Sequence, residues 1–165
     1  MLEDFTRVDL EWIRSNIDYS TNSFTDPNGM YVVLNTMPEE IAYTHKLDSF
    51  GIPARISVYN PADLRKFKID TATHKLLQND DGEQGLIGYL DFYKEHKDDQ
   101  VNSKVGFMYI YPEYRGKGLT REVTDFLEIL TPPGSVIKVG TSKDETIFYM
   151  AKQWNDLHPG RVDYK

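Results

Sequence analysis

The chain predicts a mixed α/β domain, and three observations carry that expectation. Apolar runs of strand length, Leu86 to Tyr93 and Val105 to Tyr111 the strongest, alternate with segments whose apolar residues recur at helical spacing. The clearest helical stripe, Leu119 to Leu130, follows the Val105 run directly through a short glycine-bearing turn. No internal repeat, low-complexity tract or linker interrupts this order, so the 165 residues read as one domain able to bury a real core.

From the amino terminus, Thr6 to Ile17 reads as a helix: Thr6 is a suitable cap, and Leu10, Ile13 and Ile17 recur at helical spacing. Asp18 to Gly29 is mostly polar and closes in the turn cluster Asp26-Pro27-Asn28-Gly29, which predicts a loop. Met30 to Leu34 is a β-branched and aromatic run, a strand. Pro38 suits the first turn of a helix running to about Phe50, with Gly51 to end it. Ala54 to Tyr59 alternates Ile56 and Val58 against Arg55 and Ser57, the pattern of a half-buried strand. Asn60-Pro61 then starts a short helix carrying Leu64 and Phe67.

Asn79 to Gly82 is a turn before the Leu86 strand, and the polar link Lys94 to Ser103 makes a hairpin with the next strand. On that strand Val105, Phe107, Tyr109 and Tyr111 share one face, with Met108 and Ile110 on the other. Both faces are largely apolar, so a central strand covered on both sides is expected. In the following helix Leu119, Val123, Phe126, Leu127 and Leu130 form the apolar stripe, while Arg121, Glu122, Asp125 and Glu128 occupy the other face. Thr131 to Gly134 ends it. Val136 to Val139 is a strand, and Asp144 caps a last helix through Ile147, Met150, Ala151, Trp154 and Leu157. His158-Pro159-Gly160 stops that helix, leaving Arg161 to Lys165 for a final short strand.

Composition narrows the function. With 26 acidic against 19 basic residues and a formal charge of -7, a broad nucleic-acid surface is not expected, whereas a cationic substrate such as an amine suits the field. There is no cysteine, which excludes disulfides, thiolate metal sites and a cysteine nucleophile. The amino terminus lacks a secretory pattern, and no apolar run approaches the roughly 20 residues of a membrane span. A soluble cytoplasmic protein without membrane association is the expectation. His45, His74, His96 and His158 are scattered without ligand spacing and Asp80-Asp81 reads as a turn, so no metal is expected; no serine sits in a hydrolase frame.

The segment Tyr109-Ile110-Tyr111-Pro112-Glu113-Tyr114-Arg115-Gly116-Lys117-Gly118 carries the most functional information. A strand runs into a basic glycine loop, and the loop opens into a helix, which places free N–H groups, a positive helix end and two cations around one volume suited to phosphate. Pro112 helps end the strand pairing. Gly116 and Gly118 remove side chains where backbone would meet ligand. The spacing fits neither a Walker A loop nor the dinucleotide fingerprint, whose third glycine is replaced by Arg121. An ordinary strand-to-helix turn with solvated cations remains the plain alternative.

This run, with Leu119 following, resembles the acyl-CoA-binding motif of the GNAT N-acetyltransferase superfamily, Arg/Gln-x-x-Gly-x-Gly/Ala, often preceded by Pro-Glu-Tyr. Arg115 and Gly118 fill the first two fixed positions, and Thr120 stands where glycine or alanine is usual. The resemblance covers the chain from about Leu86 onward. It implies a GNAT-like mixed, mostly antiparallel central sheet with flanking helices, in which residues 81–165 bind CoA and residues 1–80 form an atypical N-terminal region. It further implies that backbone amides across Arg115, Gly116, Lys117, Gly118, Leu119 and Thr120 hold the pyrophosphate of acetyl-CoA as cosubstrate. The backbone of Met108 and Ile110 would align the acetyl carbonyl and the pantetheine arm, and the Val136 strand would splay from the Val105 strand around them. The tail after His158 is short for the family's closing strands; one is missing or is supplied by a partner, which admits a homodimer.

The implied activity is direct acetyl transfer to a small-molecule or protein amine, since no cysteine can form an acyl-enzyme. Proximity and a backbone oxyanion donor would carry much of the rate. Family members often use a tyrosine of the last helix as the acid. Tyr149 is the only one there, although Ser142 and Glu145 replace its usual framing residues; a packing role is the rival reading. Asp91 is the candidate base because it shares a strand face with Tyr89 and Tyr93. Its rival reading is an exposed, solvated Asp. Two other readings of the chain stay open: a non-catalytic module of the same fold that binds CoA or a protein, and a binding protein whose loop matches by coincidence.

Overall fold

Alternating apolar residues in the front half and the two long apolar runs behind them assemble one sheet of seven strands. In the computed structural model, which describes residues 5–36, 52–97, 100–140 and 145–164, the chain opens with helix α1 (Leu10–Asn16). It continues through β1 (Ser23–Thr25), β2 (Tyr31–Thr36) and β3 (Ile52–Tyr59). A separate small sheet of β4 (Lys66–Ile69), β5 (Leu76–Gln78) and β6 (Glu83–Gln84) follows, ordered β5-β4-β6. The long hairpin β7 (Leu86–Lys97) and β8 (Gln100–Ile110) leads into α2 (Leu119–Leu130), β9 (Ile137–Val139), α3 (Glu145–Leu157) and β10 (Val162–Tyr164). The helix expected from Pro38 to Phe50 and the Asp144 cap lie outside the described residues.

The main sheet has the order β1-β2-β3-β7-β8-β9-β10. Pairing is antiparallel from β1 to β8 and parallel from β8 through β10. Two helical crossovers, through α2 and α3, build the parallel pairs, since parallel neighbours need a return path across the sheet. The mixed α/β class with a mostly antiparallel sheet is therefore what the chain forms. The tail supplies one strand, and β10 pairs with β9.

Sheet register sorts the side chains. Val32, Ile56, Leu90 and Phe92 lie on the face toward α2, where Phe24 meets Phe126 edge-on at 5.4 Å. Arg55, Ser57, Tyr89, Asp91 and Phe107 lie on the opposite face. The pairing of β7 with β8 slips by one residue: Asp91 faces Phe107 while Phe92 faces Val105, so Gly106 has no opposite number. This bulge corrects the expected alternation. Val105 joins Met108 and Ile110 on the helix-facing side, away from Phe107 and Tyr109, because one inserted residue inverts every side chain beyond it.

Other differences have local causes. The first helix starts at Leu10, not Thr6, with Asp9 as its cap: Trp12 N–H donates to Asp9 Oδ1 at 2.9 Å. Thr6 is instead held by Asn28, exchanging two hydrogen bonds of 2.8 and 2.7 Å. Inside the expected loop, Ser23–Thr25 pairs with β2 because Phe24 is buried in the core. No helix follows Asn60; its side chain accepts from Ala62 N–H to make a tight turn, and Lys66–Ile69 pairs as a strand with Phe67 inward and Leu64 exposed. The link Lys94 to Ser103 is largely strand.

The acidic residues of the α2 polar face are not solvated. Glu122, Asp125 and Glu128 are all buried, because α1 packs on α2 and the α3 indole of Trp154 donates to Glu128 Oε1 at 3.0 Å. Among the described residues no helix is long and apolar enough to cross a membrane.

Candidate functional site

The parallel edge of β8 is paired with β9 only from Ser103 to Val105, opposite Ile137 to Val139. From Gly106 to Ile110 no described strand covers that edge. The chain then makes a single 3-10 turn at Pro112–Tyr114, where proline fits the first position and removes a ladder donor. Both Gly116 and Gly118 adopt left-handed backbone, with φ of 78° and 83°, which explains glycine at each. Gly118 occupies the cap position of α2 and offers no side-chain acceptor. Consequently the backbone N–H groups from Gly116 to Arg121 meet no acceptor among the described residues, and they converge at the positive end of α2.

Two adjoining cavities flank this point. One, about 490 Å³, is walled by Arg115, Gly116, Gly118, Leu119 and Thr120 of the loop, with Arg7 and the α3 residue Trp154 opposite. The other, about 560 Å³, runs along the uncovered β8 edge between Gly106 and Ile110 and is closed by His74 and Met150. Arg115, Thr120 and Met150 border both. Met108 and Ile110 line the second cavity. Lys117 lines neither; its Nζ lies 3.5 Å from the Arg115 carbonyl. Arg115 is oriented from within: Nε donates to the Ile110 carbonyl at 2.8 Å, and its guanidinium lies 5.0 Å from the Tyr109 ring centroid.

The loop is anchored by the front half of the chain, a role that sequence spacing could not reveal. Arg65 forks onto Asp63 and onto Glu113, with its two contacts to Glu113 at 2.8 and 2.9 Å. Tyr114, buried, donates its hydroxyl to Asp63 Oδ2 at 2.8 Å and accepts from Asn60 Nδ2 at 2.9 Å. The Arg65 hydrogen bonds, reinforced by Tyr114, hold the Asp63 carboxyl down to about 2. Glu113 and Tyr114 thus fix the entry to the glycines; Tyr114 also borders the first cavity, while Glu113 borders neither. Tyr114→Phe is expected to cost about 1.5–3 kcal/mol, the range for a hydrogen bond to a charged group, as read by urea unfolding. A loss below about 0.5 kcal/mol would dismiss the anchor.

Asp91 is brought to neither cavity wall. It is 1% exposed, opposite Arg55 in register, and both of its oxygens accept from the Arg55 fork at 2.6 and 3.0 Å. The rival reading of a solvated Asp is thus corrected, because a central strand buries it and Arg55 neutralises it. Arg55 lies over the ring of Tyr89, whose hydroxyl is raised in pKa by burial and then by the Asp91 charge. Residue 149 belongs to α3, and its neighbour Met150 borders both cavities; the Tyr149 side chain lies outside the described residues.

His74, read from sequence as one of four scattered histidines, stands at the second cavity with its ring stacked on Phe107, centroids 3.6 Å apart. Its left-handed φ of 60° is uncommon for a residue with a side chain. Tyr89 donates its hydroxyl to the His74 carbonyl and holds that turn. No group of metal-ligating side chains occurs among the described residues. Compared with known proteins, the chain matches no family model and no curated sequence.

Proposed function

We propose that the protein is an acyl-CoA-dependent N-acetyltransferase that moves an acetyl group from acetyl-CoA to an amine by direct attack. The observation that carries this reading is the meeting of three features. These are a strand edge left uncovered beyond Val105, a run of acceptor-free N–H groups from Gly116 to Arg121, and two adjoining cavities that share Arg115, Thr120 and Met150 beside them. An extended thioester arm can lie along the strand edge while its pyrophosphate meets the loop amides. The GNAT-like motif residues Arg115 to Thr120 stand at that junction. In the transfer, the amine nitrogen attacks the thioester carbonyl, the carbon–sulfur bond breaks, and the nitrogen's surplus proton leaves as the thiolate is protonated. Backbone donors of the β8 edge suit the developing oxyanion. Tyr149 is proposed as the acid for the thiolate, and Asp91, which borders neither cavity, as a base acting through an intervening water.

A non-catalytic CoA-binding module is the second reading, favoured by the Arg55 fork that occupies both oxygens of Asp91. Calorimetry with acetyl-CoA comes first: binding is expected, and no heat at millimolar ligand would end both readings. Gly118→Trp is expected to abolish binding, because a bulky side chain would sit on left-handed backbone at the helix entrance. A folded variant that still binds would move the donor elsewhere. Thiol release over a panel of small amines and peptide amino termini then separates enzyme from module. Tyr149→Phe with an unchanged rate across pH would remove Tyr149 from the chemistry.

A further inference from the structure

One wall of the first cavity comes from outside the loop and its helix. The segment from Phe5 to Asp9 is pinned at Thr6 by the reciprocal Asn28 hydrogen bonds and at Asp9 by its capping of α1. Between the pins, Arg7 reaches the loop: Nη2 donates to the Gly116 carbonyl at 2.8 Å. Its Cγ and Nη1 lie 3.3 Å from the place a Cβ on Gly118 would take, so the side chain crosses directly over the α2 entrance. Arg115 and Arg121 line the same cavity.

The three guanidiniums are not equally committed. Arg121 is held by the carboxylate of Asp125 at 3.1 Å, and Arg115 by the Ile110 carbonyl and the Tyr109 ring. Arg7 gives one N–H to a neutral carbonyl and pairs with no carboxylate among the described residues. The nearest acid in sequence, Asp9, also lines the cavity, and its Oδ1 is taken by the α1 cap. A guanidinium carries five donors, so Arg7 keeps most of its fork for an anion in this space.

Position along the ligand path follows from the two cavities. The β8 edge borders the second cavity, and the loop residues Arg115 and Thr120 border both it and the first. Arg7 lines only the first. A phosphopantetheine arm lying on β8 would bring its single phosphate to the shared residues Arg115 and Thr120; the further phosphates of CoA would then lie toward the space that Arg7 borders. We infer that Arg7 is a donor-specificity residue, reading the additional phosphate charge that distinguishes CoA from a carrier-bound phosphopantetheine arm. The inference rests on the acyl-CoA reading and extends it to the class of donor.

Calorimetry on the full chain with CoA, adenosine 3′,5′-bisphosphate and 4′-phosphopantetheine tests it. Arg7→Gln is expected to weaken CoA and the bisphosphate about tenfold or more, as loss of a charge-assisted contact does, while phosphopantetheine changes less than about twofold. Arg7→Lys, which keeps the charge without the fork, is expected to recover some of the loss. Unchanged CoA affinity in a folded Arg7→Gln, or equal weakening of CoA and phosphopantetheine, would overturn the inference and leave the acyl-CoA reading standing. A wild-type chain that binds none of the three ligands would overturn both.

Discussion

Asp91→Ala is expected to destabilise the protein by about 3 kcal/mol, the lower end of the range for removing one partner of a buried ion pair. The variant leaves the Arg55 side chain, 15% exposed, on a central strand without its counter-charge. The lower end is chosen because that residual exposure lets water reach some of the guanidinium. Replacing both residues, Arg55→Leu with Asp91→Leu, is expected to restore most of the loss, since a well-packed apolar pair avoids desolvating two charges. Urea unfolding of the wild type, the two single variants and the double variant measures the coupling. A double variant no more stable than Asp91→Ala would contradict this account. The same double variant bears on function. If Asp91 takes the amine proton, the double variant keeps donor affinity and loses transfer; retained transfer removes Asp91 from the chemistry.

The second large effect is a loss of stability with rising pH, centred on Glu122. Burial, then a hydrogen bond with Asp26, then the charges of Asp26 and Asp125 push the Glu122 carboxyl up to about 9 from an ordinary value of 4.5. Glu122 Oε1 and Asp26 Oδ2 are buried without another donor, and a neutral Glu122 donating its O–H to Asp26 satisfies that arrangement. The folded state therefore holds a proton that the unfolded chain releases above pH 4.5. The associated stability is complete below that pH and falls as pH rises toward about 9, by at most ~1.4 kcal/mol per unit, or about 3 kcal/mol by pH 7. Burial raises Asp125 as well, which works in the same direction. Glu122→Gln keeps a donor toward Asp26 and has no proton to lose. It is expected to be more stable than wild type at pH 8 and to show a flatter pH dependence; parallel curves for the two proteins would reject the shared proton.

These two sites also show where the sequence stops being readable. Asp91 and Arg55 lie on separate strands, and each taken alone is a charged residue in an alternating pattern whose ordinary place is at the surface. Only the β3–β7 register sets them opposite each other. Glu122 sits on the polar side of a clear amphipathic stripe, so periodicity turns it toward water. The packing of α1 and α3 around α2 closes that side instead. The Gly106 bulge is similarly silent, because a glycine within a strand run leaves the alternation intact on paper while moving Val105 to the other face. Lys66 to Ile69 is a different case. Its Lys-Phe-Lys-Ile alternation is legible as a strand, and the preceding Asn60-Pro61 turn obscures it.

Local sequence was enough for the mixed α/β class, the two long central strands, the α2 stripe and a glycine turn at the helix entrance; the left-handed backbone of those glycines is a structural finding. Each of these depends on side-chain period or backbone permissiveness within a few residues. What surrounds the loop came from tertiary packing: Arg65, Asp63 and Asn60 anchoring Glu113 and Tyr114, Arg7 crossing Gly118, and His74 closing the space beside the β8 edge. Those partners lie tens of residues away in the chain, and a charge or hydrogen bond carries no local periodicity to announce its partner. Short-range preference made the glycine entrance to α2, and long-range packing set the charges that face it.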